Sequence, residues 1–116
     1  MAKLEKRSFD APDERRTPPR AEISTLRFGD RTVMRITYLP GFRWTADMKP
    51  IAGTDLCQIN HFAYVVSGRI HLVMEDGTEM DLGPGDIVPI PAGHDAWVLG
   101  DEPFVSIDFA GAMRPA

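Results

Sequence analysis

Three side chains in this 116-residue sequence are metal ligands by type: Cys57, His61 and His94. A thiolate and two imidazoles make a nitrogen–sulfur donor set that suits zinc and other first-row divalent ions. Spacing sets a condition on them. Four residues along a straight strand cover about 13 Å, too far for Cys57 and His61 to share one ion. They meet only if Gln58-Ile59-Asn60 bends, and Asn60 is a residue that turns favour. Asp55 could join from the preceding loop. Each residue also has a plainer role. A lone Cys is often a small buried hydrophobe. His61 could be a core histidine bonded to backbone, and His94 could simply shape a bend. His71 falls on the polar face of its strand and reads as solvated.

No other catalytic pattern accompanies the three. The chain has no Gly-rich phosphate loop and no Gly-x-Ser-x-Gly elbow. Asp95 adjoins His94, but neighbouring residues of a strand point to opposite faces, so the two make a poor acid–base pair. Arg35, Arg43 and Lys49 would bind a carboxylate or phosphate only by turning inward; a surface position is the simpler reading for each.

The elements that must position these residues read as short strands. Thr32 to Tyr38 alternates, with Met34, Ile36 and Tyr38 on one face. Residues 45–56, with Pro50 and Gly53, read as a connecting loop. His61 to Val66 is apolar on both faces. Arg69 to Glu75 and Thr78 to Leu82 flank Asp76-Gly77, a strong two-residue hairpin signal. The prolines in Ile87-Val88-Pro89-Ile90-Pro91 fit only an edge or irregular strand. Ala96 to Leu99 and Phe104 to Phe109 complete the series. Strands with turn signals every eight to twelve residues predict an all-β sandwich or barrel. No stretch of ten residues has helical period.

Bulk properties narrow the function classes. The chain is one domain in size, and 43% of its residues are hydrophobic, enough for a real core. Thirteen Lys and Arg face seventeen Asp and Glu, which argues against nucleic acid as a partner. Residues 1–20 hold a surplus of basic groups and close on Thr17-Pro18-Pro19; they read as an N-terminal arm or linker. Residues 21–112 form the predicted domain. One cysteine excludes an intrachain disulfide. The charged N-terminus does not resemble a signal peptide, and no apolar run approaches membrane-spanning length. The expectation is a cytoplasmic protein with no membrane partner.

Tyr64-Val65-Val66-Ser67-Gly68-Arg69, then Leu82-Gly83-Pro84-Gly85-Asp86, then Ile90-Pro91-Ala92-Gly93-His94 resemble the turn pattern of the cupin superfamily. The resemblance covers residues 53–109. More narrowly, Lys49 to Asp55, Cys57-Gln58, His61 and Gly93-His94-Asp95-Ala96-Trp97 are similar to a small single-domain bacterial subgroup. That subgroup is known mostly as uncharacterised proteins or as domains beside signalling modules. The resemblance implies a cupin-type double-stranded β-helix, or jelly-roll, barrel. Its mouth should be concave and mostly apolar, with Met34, Tyr38, Trp44, Tyr64, Trp97 and Phe109 as candidate lining beside Asp55. Each of these aromatic and Met residues is equally a plain core residue.

Many cupins hold a divalent metal with His-x-His, a Glu and a third His. Counting from Gly68 and Gly93, those positions read Asp55, Cys57, His61 and Ala96. The usual site is therefore not transferred whole, and a non-standard set of Cys57, His61 and His94 is the alternative the sequence leaves open beside the plainer roles of these residues. Zinc is the best-matched ion if the thiolate takes part. Two functions follow. One is a small-molecule-binding or sensor barrel with a possible metal. The other is a metal-dependent enzyme, of the oxygenase or isomerase type that the resemblance implies. A homodimer is expected, because pairing would shield sheet edges and the two-faced strand 61–66.

Overall fold

The computed structural model describes residues 3–109. Its strands are β1 (Glu14–Arg16), β2 (Ala21–Phe28), β3 (Arg31–Tyr38), β4 (His61–Ser67), β5 (Arg69–Met74), β6 (Glu79–Leu82), β7 (Ile87–Ile90), β8 (His94–Leu99) and β9 (Phe104–Asp108). They form two antiparallel sheets, one ordered β1-β2-β3-β9-β4-β7 and the other β6-β5-β8. Both sheets contribute to one buried cluster: Ala63, Val65 and Phe104 from the larger, Ile70, Leu72, Leu82 and Val98 from the smaller. This is a cupin-type jelly-roll barrel, the all-β class that the alternation predicts. Among the described residues, no helix is long and apolar enough to cross a membrane.

Local sequence explains the corners. Between β4 and β5, Gly68 has φ of +78°, and a Cβ there would lie 2.2 Å from the Pro103 carbonyl oxygen. Only glycine fits so close an approach in that conformation. Strand β7 carries Pro89 and sits at the sheet edge, paired with β4 alone, where a missing N–H breaks no ladder. At the tip of the β5–β6 hairpin, the Asp76 carboxylate accepts the Thr78 N–H at 2.9 Å.

Two segments differ from the sequence reading. Residues 45–56 are not an open loop throughout. They hold two one-turn helices, α1 (Trp44–Asp47) and α2 (Lys49–Ala52). Pro50 occupies the first turn of α2, where its missing N–H costs nothing, and Gly53 closes it at φ +76°. Helices this short lack the periodicity that would betray them. Within the segment set apart as an arm, β1 lies along β2 of its own chain, pairing Glu14 with Thr25 and Arg16 with Ile23. The first two residues of that arm, and residues 110–112 of the predicted domain, lie outside the described residues.

Candidate metal centre inside the barrel

The cavity starts from the inward phase of three strands. Strand β4 turns His61, Ala63 and Val65 inward; β9 turns Phe104, Ser106 and Asp108; β8 turns His94 and Ala96. Cys57 comes from outside these strands. Its backbone forms a lone antiparallel bridge with His94, its N–H donating to the His94 carbonyl at 2.9 Å. Cys57 is thus attached to the smaller sheet and His61 to the larger. Residues 58–60 cross between them, and the Asn60 side-chain oxygen accepts the Ala92 N–H at 2.9 Å. The bend required by the sequence spacing is this crossing.

Its consequence is a convergence of three ligand atoms. Cys57 Sγ lies 3.7 Å from His61 Nε2, and one ligand atom from each of Cys57, His61 and His94 lies within 4.8 Å of the others. Around one tetrahedral zinc, such atoms stand about 3.3–3.6 Å apart, so small side-chain adjustments suffice. Cys57 and His94 are buried and His61 nearly so.

Both imidazoles are oriented from behind. His94 Nδ1 lies 2.7 Å from the Pro91 carbonyl oxygen; only an N–H satisfies that acceptor, so Nε2 carries the lone pair when the ring is neutral. His61 Nδ1 meets the Asp108 carboxylate in a short contact. The other Asp108 oxygen accepts the Phe62 N–H at 3.2 Å. Asp108 is fully buried. Such a carboxylate or carbonyl behind each ring is the usual support of a metal-binding histidine.

Electrostatics favour an ionised pair. Burial is the largest single influence on Cys57 and acts to raise its pKa. Hydrogen bonds from His61 and His94, with the His94 charge, outweigh it and bring the thiol down to about 6. For His61, burial lowers, while Asp108 and Cys57 together raise the ring to about 9. Near neutral pH the metal-free pair is a thiolate accepting a hydrogen bond from an imidazolium. Tyr38 is driven the other way. Burial first, then the Cys57 and Asp108 charges, hold its phenol neutral.

The cavity measures about 40 Å³, room for two or three waters. The donor set therefore fits a first-row divalent ion with its small remaining ligands, and the space holds no large organic molecule.

Of the residues singled out in the sequence, Cys57, His61, His94, Tyr38 and Trp44 line this cavity. The others are elsewhere. Met34 lies in the middle of β3 and is not among the residues that line the cavity. Tyr64 is on the outward phase of β4. Trp97, opposite in phase to Ala96, packs outside against His71 and Arg43. Phe109 lines a separate cleft with Phe28 and Val33. Asp55 is exposed and pairs with Lys49 at 3.2 Å. Nor do the three cations turn inward. Arg35 stacks on Phe9, Arg43 on Trp97, and Lys49 holds Asp55.

Two acids matter more than their sequence context suggests. Asp108 orients His61. Asp95 faces away from His94, as strand phase dictates, and accepts Arg43 Nε at 3.0 Å and the Thr45 N–H at 3.1 Å. With Asp47, which binds Arg20 at 2.8 Å, it holds α1 where Trp44 lines the cavity. An Asp in the same phase as Phe104 and Ser106 was the available signal for Asp108.

Comparison with known proteins agrees with this architecture. Residues 58–109 match the family model of the cupin domain, a span that includes His61, His94 and Asp108. No curated protein matches the sequence. Among solved structures, the polyketide cyclase RemF from Streptomyces resistomycificus is 18% identical, with a TM-score of 0.67 over 98% of this chain and 83% of that one. A cupin-like protein from Thermotoga maritima is 17% identical, with a TM-score of 0.60 over 83% and 71%. A Lactobacillus farciminis oxalate decarboxylase is 14% identical, with a TM-score of 0.65 over 98% of this chain but 36% of its own. Family match and fold together support the cupin superfamily.

Proposed function

We propose that this protein is a cupin barrel that holds a divalent metal through Cys57, His61 and His94 and binds a small molecule there, as a ligand-binding or sensor domain. Zinc matches the thiolate-containing donor set best. The observation that carries the reading is the double orientation of the histidines. Asp108 and the Pro91 carbonyl each hold an Nδ1, which leaves both Nε2 atoms beside the Cys57 sulfur. A histidine kept only for packing needs no such agreement.

A second reading is a metal-dependent enzyme acting on a small organic substrate. Three protein ligands favour it, because catalytic zinc sites keep a fourth position for water or substrate. A bound ion would supply Lewis acidity to that position. Around it the chain's own groups have defined tasks: Asp108 keeps the His61 Nδ1 proton in place, Tyr38 offers a neutral hydroxyl, and Trp44 walls the cavity on the α1 side.

Elemental analysis of untagged protein tests the first claim. The expected result is about one zinc per chain, lost in the His61→Ala/His94→Ala double variant. Metal-free protein whose stability ignores chelators would sink it. Turnover of a candidate substrate by the zinc form alone would move the assignment to the enzyme.

A homodimer is part of the proposal. The outer face of β4 presents Phe62, Tyr64 and Val66, with Ile87 opposite Tyr64 on β7 and Phe109 beside Phe62, all exposed. Uncharged apolar patches of this kind mark interfaces. Light scattering should give twice the chain mass, reduced to one chain by Tyr64→Lys; a monomer at millimolar concentration would contradict this.

A further inference from the structure

A second cavity adjoins the metal centre. It is an open cleft of about 330 Å³ between the two short helices and the chain around Cys57. Trp44 and Cys57 line both the cleft and the inner cavity, so they form the wall between them. The cleft's size suits a small organic ligand.

Its lining is chemically lopsided. Trp44, Met48, Ile51 and Ile59 give an apolar floor, and Ile51 and Ile59 remain exposed. Arg16, on edge strand β1, is the one cationic side chain in the lining, and the Cys57 sulfur lies in the wall shared with the inner cavity. Eight other charged side chains form ion pairs among themselves: Arg15 with Glu22, Arg20 with Asp47, Arg27 with Glu14, and Lys49 with Asp55. Among the described residues, Arg16 has no ion pair and no side-chain hydrogen bond. A guanidinium without a counter-ion beside an uncharged apolar surface is complementary to an amphipathic anion, and its fork matches a carboxylate.

We propose that this cleft binds an apolar monocarboxylic acid, with the hydrocarbon body on Trp44, Met48 and Ile51 and the carboxylate on Arg16. This deepens the metal-site reading by naming what comes up to the Trp44–Cys57 wall. It also answers a difficulty of scale, since the 40 Å³ cavity holds no organic molecule while the cleft does.

The test uses octanoate, with octanol as the uncharged control, on the full chain in a Trp97→Phe background so that Trp44 alone reports by fluorescence. Octanoate should give a saturable change, with octanol at least tenfold weaker. Arg16→Gln should weaken octanoate about tenfold and leave octanol unchanged. Ile51→Asp should remove both responses. Arg16 is exposed on an edge strand, so the variant's fold is checked by its circular dichroism and melting. Equal affinity for octanoate and octanol, or octanoate binding insensitive to Arg16→Gln, would overturn the proposal. All titrations are run on zinc-loaded and chelator-treated protein. No zinc uptake with octanoate bound defeats the metal reading alone; zinc bound with no octanoate response defeats the cleft alone.

Discussion

Two histidines of this barrel are paired with carboxylates, and their surroundings give the same pairing different meanings. His61 lies inside, with Asp108 behind one nitrogen and the Cys57 sulfur before the other. His71 lies on the outer face of β5, with Asp81 at Nδ1 and Glu79 at Nε2 at 2.7 Å. Hydrogen bonds to Asp81 and then Glu79 raise the His71 pKa, as the buried partners raise that of His61. At the surface, water screens the pair and can replace either partner. Inside, an unpaired Asp108 or Phe62 N–H has at most the few waters a 40 Å³ cavity can hold to turn to. His71 also has both nitrogens occupied by carboxylates, whereas His61 keeps one directed at a soft ligand and a second imidazole. Pairing with an acid therefore does not identify a site; burial and the object facing the other nitrogen do.

Three experiments sharpen this contrast, beginning with the largest effect. Asp108→Ala should cost about 3–5 kcal/mol of stability, because it strips the buried His61 ring of its Nδ1 partner and leaves the Phe62 N–H without its acceptor; urea denaturation measures it. Asp108→Asn keeps the shape and should instead show chiefly in zinc affinity, lowered about 10–100-fold. A zinc affinity unchanged in Asp108→Asn would remove the orienting role assigned to the carboxylate.

Next comes pH. In metal-free protein the raised His61 pKa contributes stability that is full below about 6.5 and lost as pH rises through about 9. The lowered Cys57 pKa contributes stability that is full above about 9 and lost as pH falls through about 6. The two slopes are opposite and nearly cancel between about pH 6.5 and 9, so the pair's contribution is nearly constant across that window. Cys57→Ala should unmask the His61 slope, with denaturation midpoints in chelator that fall as pH rises from about 6.5. Midpoints no more pH-dependent in Cys57→Ala than in the wild type would show that the thiolate does not offset His61.

The smallest effect belongs to the surface. His71→Ala should leave zinc content unchanged and shift the denaturation midpoint barely beyond error. Salt at 1 M should weaken what little the cluster adds. A large loss in His71→Ala would mean that the outer carboxylates repel one another more than exposure suggests.

The fold was largely legible because turns are local. Gly68, Asp76-Gly77 and the edge prolines each punctuate the chain by their own backbone chemistry. The site was legible in its ligand types and in the need for a bend at 58–60. Strand phase was the weak point. On β9 the run Val105, Ile107, Phe109 is the more apolar alternation, yet Phe104, Ser106 and Asp108 face the core. On β4 the aromatic phase, Phe62 and Tyr64, is outside, and the smaller Ala63 and Val65 are within. A sheet with an apolar outer face removes the contrast that alternation relies on. For that reason Tyr64 and Phe109 read as lining, and Asp108 passed unnoticed. Arg16 was hidden similarly among the charges of the N-terminal segment, since its lack of a partner is a three-dimensional fact.

The central claim is that Cys57, His61 and His94 bind one ion together. Cobalt(II) added to the metal-free protein tests it most directly, because the absorption spectrum reports both thiolate ligation and coordination number. The account predicts one cobalt per chain, with intense visible bands of a four-coordinate centre and a near-ultraviolet sulfur charge-transfer band. That last band should vanish in Cys57→Ser, and binding should fail in His61→Ala/His94→Ala. Cobalt that stays in its pale hydrated form with the wild-type chain, or a spectrum indifferent to Cys57→Ser, would contradict it.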